Sequence, residues 1–142
     1  MKTSARNQFS GVIKEVVVGA VNAEVVVELN GGESIVASIT KESVESLGIK
    51  PGISAVALVK APQIIVVSEF GGYKISARNQ LSGKISEITP GAVNSEVDIE
   101  MKGGQKITAT VTVDSVSSLG LQTGQTVTAV FKAGAVLLAV PA

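Results

Sequence analysis

Ser4-Ala5-Arg6-Asn7-Gln8 is followed 72 residues later by Ser76-Ala77-Arg78-Asn79-Gln80, and that recurrence decides the fold. Working outward, Gly19-Ala20-Val21-Asn22 returns as Gly91-Ala92-Val93-Asn94, and Ser43-Val44 returns as Ser115-Val116. Leu47-Gly48 returns as Leu119-Gly120, and Lys60-Ala61 as Lys132-Ala133. All pairs share one offset, so neither half has gained or lost residues relative to the other. Two copies are too few to stack as a solenoid, in which each repeat is covered by its neighbours. The chain reads as one module written twice, over residues 1–70 and 71–142.

Within the first copy, Gly11–Val18 and Ala23–Leu29 are rich in β-branched residues and partly alternate, the pattern of half-buried strands. Asn30-Gly31-Gly32 is a hairpin signal, because Asn and Gly tolerate the positive φ of tight turns. Ser34–Ile39 reads as a third strand. Thr40 has the position of an N-cap and Glu42 lies in the first turn, so a short helix is expected over Lys41–Leu47, ending at Gly48. Pro51-Gly52 turns the chain into strands at Ser54–Lys60 and Gln63–Ser68. The second copy repeats the plan, with Thr112 and Asp114 at its helix start. The expected fold is all-β: two tandem OB-like five-stranded barrels, each with one short helix.

Composition narrows the function. A module of about 70 residues buries only about 60% of its unfolded surface and needs further support. The sequence has no Cys and no His, which removes disulfides and the common zinc sites, while 45% of its residues are hydrophobic. Homo-oligomerisation is the support that remains. Net charge is zero, so no broad field draws the protein to nucleic acid or a membrane. Polar residues follow Met1-Lys2 directly, and no apolar run reaches the roughly 18 residues of a membrane helix, so a cytoplasmic protein is expected. Without His or Cys the common catalytic triads and thiol nucleophiles are absent, and neither copy has a GxSxG elbow. Glu15, Glu24 and Glu28 recur as Glu87, Glu96 and Glu100, in positions suited to solvent-facing strand residues. No enzyme and no catalytic cofactor are expected.

The donors are more informative. Arg6 stands in a polar segment with Ser4, Asn7 and Gln8. Ser43 falls in the expected first helical turn, where unbonded N–H groups favour an anion, and Lys60 ends a strand. A guanidinium, an ammonium, hydroxyls and amides make a donor-only set, suited to a fully deprotonated tetrahedral oxyanion that only accepts hydrogen bonds. A protonated anion such as hydrogen phosphate would call for an acceptor as well. Each charge pair at about 4 Å is worth about 4 kcal/mol at an effective dielectric of about 20, before desolvation. Scattered Arg, Lys and Ser are most often solvated surface, and residue types alone are weak evidence for a site. Their return as Ser76, Arg78, Ser115 and Lys132 favours a site. Gly19-Ala20-Val21-Asn22 and Gly91-Ala92-Val93-Asn94 are second candidates, since a Gly-containing turn can form an anion nest. A plain hairpin connection explains the same residues.

Four motifs together carry a resemblance. Ser-Ala-Arg-Asn-Gln-hydrophobic-Ser-Gly opens each copy, at Ser4–Gly11 and Ser76–Gly83. Gly-Ala-Val-Asn-x-Glu-Val follows, then Thr-x-x-Ser-Val-x-x-Leu-Gly-Ile/Leu and a late Lys-Ala. In this combination the chain resembles, twice and over nearly its whole length, the molybdate-binding domain of the molbindins. The same domain occurs in molybdate-responsive regulators and in some molybdate transporter ATPases. The resemblance implies a cytoplasmic storage or homeostasis protein for molybdate or its near twin tungstate, assembled as a trimer with the ion held between modules. It also implies one class of site from Ser4 and Arg6 with Ser43 and Lys60 supplied across an interface. Its counterpart uses Ser76, Arg78, Ser115 and Lys132. A second class is implied at the Gly19–Asn22 and Gly91–Asn94 turns. Pro51, Val59 and Pro62 become Thr123, Phe131 and Gly134, so the flanks of Lys60 and Lys132 differ between copies. The regulators' helix-turn-helix and the transporters' ATPase have no counterpart here, so neither DNA control nor ATP hydrolysis is expected.

Two other classes compete. An OB-fold binder of single-stranded nucleic acid requires aromatic platforms and a basic groove, yet only 3% of residues are aromatic, none is Trp, and net charge is zero. A purely structural oligomerisation module accounts for the apolar composition but not for the recurring Ser, Arg and Lys.

Overall fold

A computed structural model describes residues Met1–Ala142. Ten strands and two short α-helices form two compact units. The first unit comprises Met1–Val59 together with Lys132–Ala142, and the second comprises Lys60–Phe131.

In the first unit, β1 spans Asn7–Val18, β2 Asn22–Leu29, β3 Ser34–Thr40 and β4 Ser54–Val59, with helix α1 at Lys41–Leu47 between β3 and β4. In the second, β5 spans Ile65–Val67, β6 Asn79–Pro90, β7 Asn94–Met101, β8 Lys106–Thr112 and β9 Thr126–Phe131, with helix α2 at Val113–Leu119. The last strand, β10 at Leu137–Ala139, belongs to the first unit. The sheets run β10-β4-β1-β2-β3 and β5-β9-β6-β7-β8, and all pairings are antiparallel. In the first unit β3 also packs against the 3-10 turn Ala133–Ala135 and β10, so the two sheet edges approach each other as in a barrel.

Alternation sets which face is inside. Along β1, Asn7, Phe9, Gly11 and Ile13 are buried while Gln8, Ser10 and Val12 are exposed. Val25, Val27 and Leu29 of β2 and Ile35 and Ala37 of β3 complete that core, and Val136 joins it from the C-terminal segment. Ile85, Val97, Ile99, Ile107 and Phe131 do the same work in the second unit. Each large apolar side chain removed from water in this way contributes about 1.5–3 kcal/mol.

β1 starts at Asn7, four residues before the strand expected from the sequence, because a buried Asn occupies its first inward position. β1 pairs with β4 over Asn7–Val12 and with β2 over Gly11–Val18, and a bulge between Ile13 and Glu15, repeated between Ile85 and Glu87, shifts its register against β2 just beyond the residues it shares with both. Here a Cβ on Gly11 would collide with the Glu28 carbonyl oxygen, and one on Gly83 would lie 2.5 Å from that of Glu100. In the hairpin after β2 the positive φ falls on Gly32 alone, at 95°, rather than on Asn30.

The fifth strand of each sheet comes from the other sequence copy. Ile65–Val67 pairs with Val130, Ala129 and Thr128 of β9. Leu137–Ala139 pairs with Leu58, Ala57 and Val56 of β4. The chain thus passes out of the first unit at Lys60 and returns to it at Lys132.

Candidate functional site

The recurring donors fall at the two ends of each long strand, β1 and β6. Register fixes the first. Asn7 and Val59 form the last pair between β1 and β4, and both are buried. Arg6 and Lys60 are their outer neighbours in sequence, so both leave the ladder at the same end and both are exposed. Asn79 pairs with Phe131 in the same way, which puts Arg78 and Lys132 at the corresponding end of β6 and β9. Neither Lys60 nor Lys132 forms an ion pair within the chain.

Ser4 and Arg6 stand on the segment before β1, and that segment is held by side chains. Ala5 N–H donates to Thr3 Oγ1 at 3.0 Å, and Gln8 Nε2 donates to the Ala5 carbonyl at 3.0 Å. In the second copy Gln80 Nε2 donates to the carbonyls of Ala77 at 2.9 Å and Ile75 at 3.1 Å.

The second place is the far end of β1, where Val18 pairs with Ala23 and Asn22 pairs with Thr40. Lys41 N–H donates to the Val21 carbonyl at 2.9 Å, which ties the Gly19–Asn22 turn to the start of α1. Val113 N–H donates to Val93 at 2.9 Å and repeats the tie in the second unit. Ser43 and Ser115 therefore sit beside the turns, at the opposite end of the long strand from Arg6 and Arg78. Ser4 and Arg6 precede one end of β1, where its last pair with β4 is Asn7 with Val59 and Lys60 follows in sequence, while Ser43 and the Gly19–Asn22 turn stand at the other end.

The hydroxyls at the second place have a defined direction. Thr40 Oγ1 accepts from Ser43 N–H at 3.1 Å and donates to Ser43 Oγ at 2.8 Å. Ser43 Oγ is already an acceptor in that pair, so its own hydrogen is left to donate elsewhere. Thr112 and Ser115 repeat both bonds at 3.1 and 2.8 Å. The capped helices are only seven residues long. What Ser43 offers an anion is thus its hydroxyl, since Thr40 takes its amide. In the turn, Gly19 N–H is taken by the Asn22 carbonyl at 2.8 Å, which leaves Ala20 and Val21 as the amides not used by the hairpin.

Two further residue pairs bond to the candidate donors or to the segments that carry them: Thr40 and Thr112 to the serines, and Gln8 and Gln80 to the segments before the arginines. Thr40 and Thr112 were expected only as caps, although Thr-x-x-Ser at the same offset in both copies was the available signal. In the sequence Gln8 and Gln80 stand only as polar neighbours of the arginines.

No helix is long and apolar enough to cross a membrane, and no cluster of Asp and Glu is arranged to hold a metal ion.

The TOBE domain profile matches residues 3–66 and again 75–138. The chain is similar to the "Molybdenum transport protein ModE" of Herbaspirillum seropedicae, with 45% identity over 140 residues, or 99% of this chain and 52% of that protein. It is also 40% identical to the "Molybdenum-pterin-binding protein MopA" of Rhodobacter capsulatus over 141 residues, covering 99% of this chain and 53% of that one. The chain spans about half the length of these curated relatives. Among solved structures it resembles the cytoplasmic molybdate-binding protein ModG with molybdate bound, at 46% identity and a TM-score of 0.96, over 99% of this chain and 100% of that one.

Proposed function

The chain belongs to the TOBE-domain family, with two tandem copies of the domain, and from that premise we propose that it binds and stores molybdate or tungstate. Molybdate is a tetrahedral dianion that carries no proton near neutral pH, so every group that meets it must donate. The four residue types repeated at Ser4, Arg6, Ser43 and Lys60 are all donors, and each returns at Ser76, Arg78, Ser115 and Lys132.

The observation that carries the reading is the placement of Arg6 with Lys60, and of Arg78 with Lys132, outside the last buried pair of their ladders. Two cations leaving one ladder end meet a dianion with charge complementarity, and neither lysine is engaged by a carboxylate of the chain. Charge-assisted bonds of this kind are about twice as strong as neutral ones. Ser43 emerges at the other end of β1, so the full set is completed by a serine from a second copy of the chain. A trimer of this chain satisfies that requirement and covers apolar surface such as Val17, Val18 and Val21, which are 55%, 50% and 72% exposed. The turns Gly19–Asn22 and Gly91–Asn94 supply a second class of site through the amides of Ala20 and Val21 and of Ala92 and Val93. We read the protein as a cytoplasmic store rather than an enzyme, with residues 1–70 and 71–142 as its duplicated unit.

Nucleic-acid binding fits less well. Phe9 and Phe131 are core residues, which leaves Phe70 and Tyr73 as the only other aromatics for stacking.

Titration calorimetry with molybdate, tungstate, sulfate and phosphate tests the reading. Tight binding of the first two with weak binding of sulfate is expected, because sulfate is smaller and spans the same donors poorly. A folded protein that releases no heat with molybdate at low salt refutes the proposal.

A further inference from the structure

We propose that Gln8 and Gln80 are positioning residues for the oxyanion donors, each clamping the loop that holds the Ser–Arg pair onto the start of its long strand. The inference rests on the oxyanion reading above. Ala5 lies between Ser4 and Arg6, and its carbonyl belongs to the peptide that leads into Arg6. The bond from Gln8 Nε2 at 3.0 Å therefore fixes the plane from which the guanidinium departs. Gln80 does the same through Ala77, at 2.9 Å, for Ser76 and Arg78.

The anchor is rigid in both copies. Gln8 pairs with Leu58 in the sheet and Gln80 with Val130, and the adjacent Asn7 and Asn79 are only 1% and 2% exposed. The loops themselves are short and exposed, so without a clamp they would sample many geometries, and apparent affinity falls by the fraction of time spent in the binding-competent one.

The two copies reach the same result by different means. In the first, Thr3 Oγ1 accepts from Ala5 N–H at 3.0 Å and provides a second hold. The corresponding residue in the second copy is Ile75, whose hydrocarbon side chain accepts nothing. There the second hold is the additional bond from Gln80 Nε2 to the Ile75 carbonyl, at 3.1 Å. Gln80 thus makes two bonds to its loop, where Gln8 makes one. Loss of Gln80 is the more damaging change.

The test uses the full-length protein titrated with sodium molybdate. Gln80→Met keeps the side chain's length and removes its donors, and it is expected to weaken binding about 10-fold, whereas Gln8→Met weakens it about 3-fold. Because the bonds are exposed, the unfolding temperature without ligand should stay nearly constant while hydrogen exchange of the Arg78 amide accelerates. In an Arg78→Ala background, Gln80→Met should cause a clearly smaller further loss, since only Ser76 is then left for the clamp to position. Unchanged affinity in both single variants, with wild-type binding intact, overturns the clamp alone. A further loss of equal size on the Arg78→Ala background shows a merely structural effect and also overturns it. A wild-type protein that binds neither molybdate nor tungstate overturns the oxyanion reading, and the clamp falls with it.

Discussion

Removing Leu137–Ala142 from the C-terminus should damage the unit built mainly from the N-terminal copy. The deleted segment contains β10, whose three residue pairs with β4 join it to the first sheet. Leu137 is 63% exposed, so the deletion removes little apolar burial from that side chain. Ladder hydrogen bonding, at about 1 kcal/mol net per bond, accounts for roughly 2–3 kcal/mol over a ladder of this length, to which the lost burial of half-buried Leu138, Ala139 and Val140 adds. Val136, 1% exposed, remains in the shortened chain and keeps the core filled. At 1.4 kcal/mol per tenfold, loss of the ladder alone should make amides of β4 exchange roughly 30- to 140-fold faster. Hydrogen exchange read by mass spectrometry on peptides over Ser54–Val59 and Thr126–Phe131 separates the possibilities. Protection should fall in the first peptide and persist in the second, because β9 keeps β5 as its neighbour. If protection is lost over Thr126–Phe131 while Ser54–Val59 is unaffected, each copy completes its own sheet and the exchanged topology is wrong.

Three further outcomes are expected. Arg6→Ala combined with Arg78→Ala should weaken molybdate binding about 10- to 150-fold in calorimetry, as expected for a lost hydrogen bond from a charged group; unchanged affinity would show the wrong donors were assigned. Gly83→Ala should lower stability by about 1–3 kcal/mol in urea unfolding, since its Cβ would meet the Glu100 carbonyl oxygen at 2.5 Å and Ile99 Cγ2 at 2.7 Å. Thr40→Val should lose about 1 kcal/mol of helix capping and weaken oxyanion binding. Thr40→Ser should restore both, because it keeps the hydroxyl that accepts from Ser43 N–H and donates to Ser43 Oγ.

Local features were largely legible in the sequence. The bounds of α1 follow from Thr40 and Gly48, and the inward residues of β2 follow from Ala23, Val25, Val27 and Leu29 alternating with polar or half-buried neighbours. The start of β1 was not, because polar Asn7 fills an inward slot that hydrophobic patterning assigns to apolar residues. Strand exchange was invisible for a deeper reason. Ile65–Val67 and Leu137–Ala139 occupy equivalent positions, 72 apart, and either can lie against β4 or β9 with the same local register. When two copies satisfy the same contacts, patterning cannot say which copy supplies a strand. The donor types were readable from their recurrence. The neighbourhood of Arg6 and Lys60 was not, since it depends on the pairing of Asn7 with Val59, a long-range fact that residue types do not encode.

Strand exchange also sets an order on synthesis. As the chain leaves the ribosome, β1 to β4 emerge early, but their sheet lacks its fifth strand until Leu137–Ala139 follows. The second sheet has the opposite schedule, since β5 is waiting when β9 appears. The N-terminal unit is thus begun first and finished last, and in the interval β4 presents an open edge. Such edges are templates for pairing with other chains, and domains that close over long sequence separations close slowly. A nascent copy therefore has its greatest opportunity for mispairing between the completion of β4 and the arrival of β10. In that interval, translation speed and the crowding of neighbouring ribosomes bear most directly on yield.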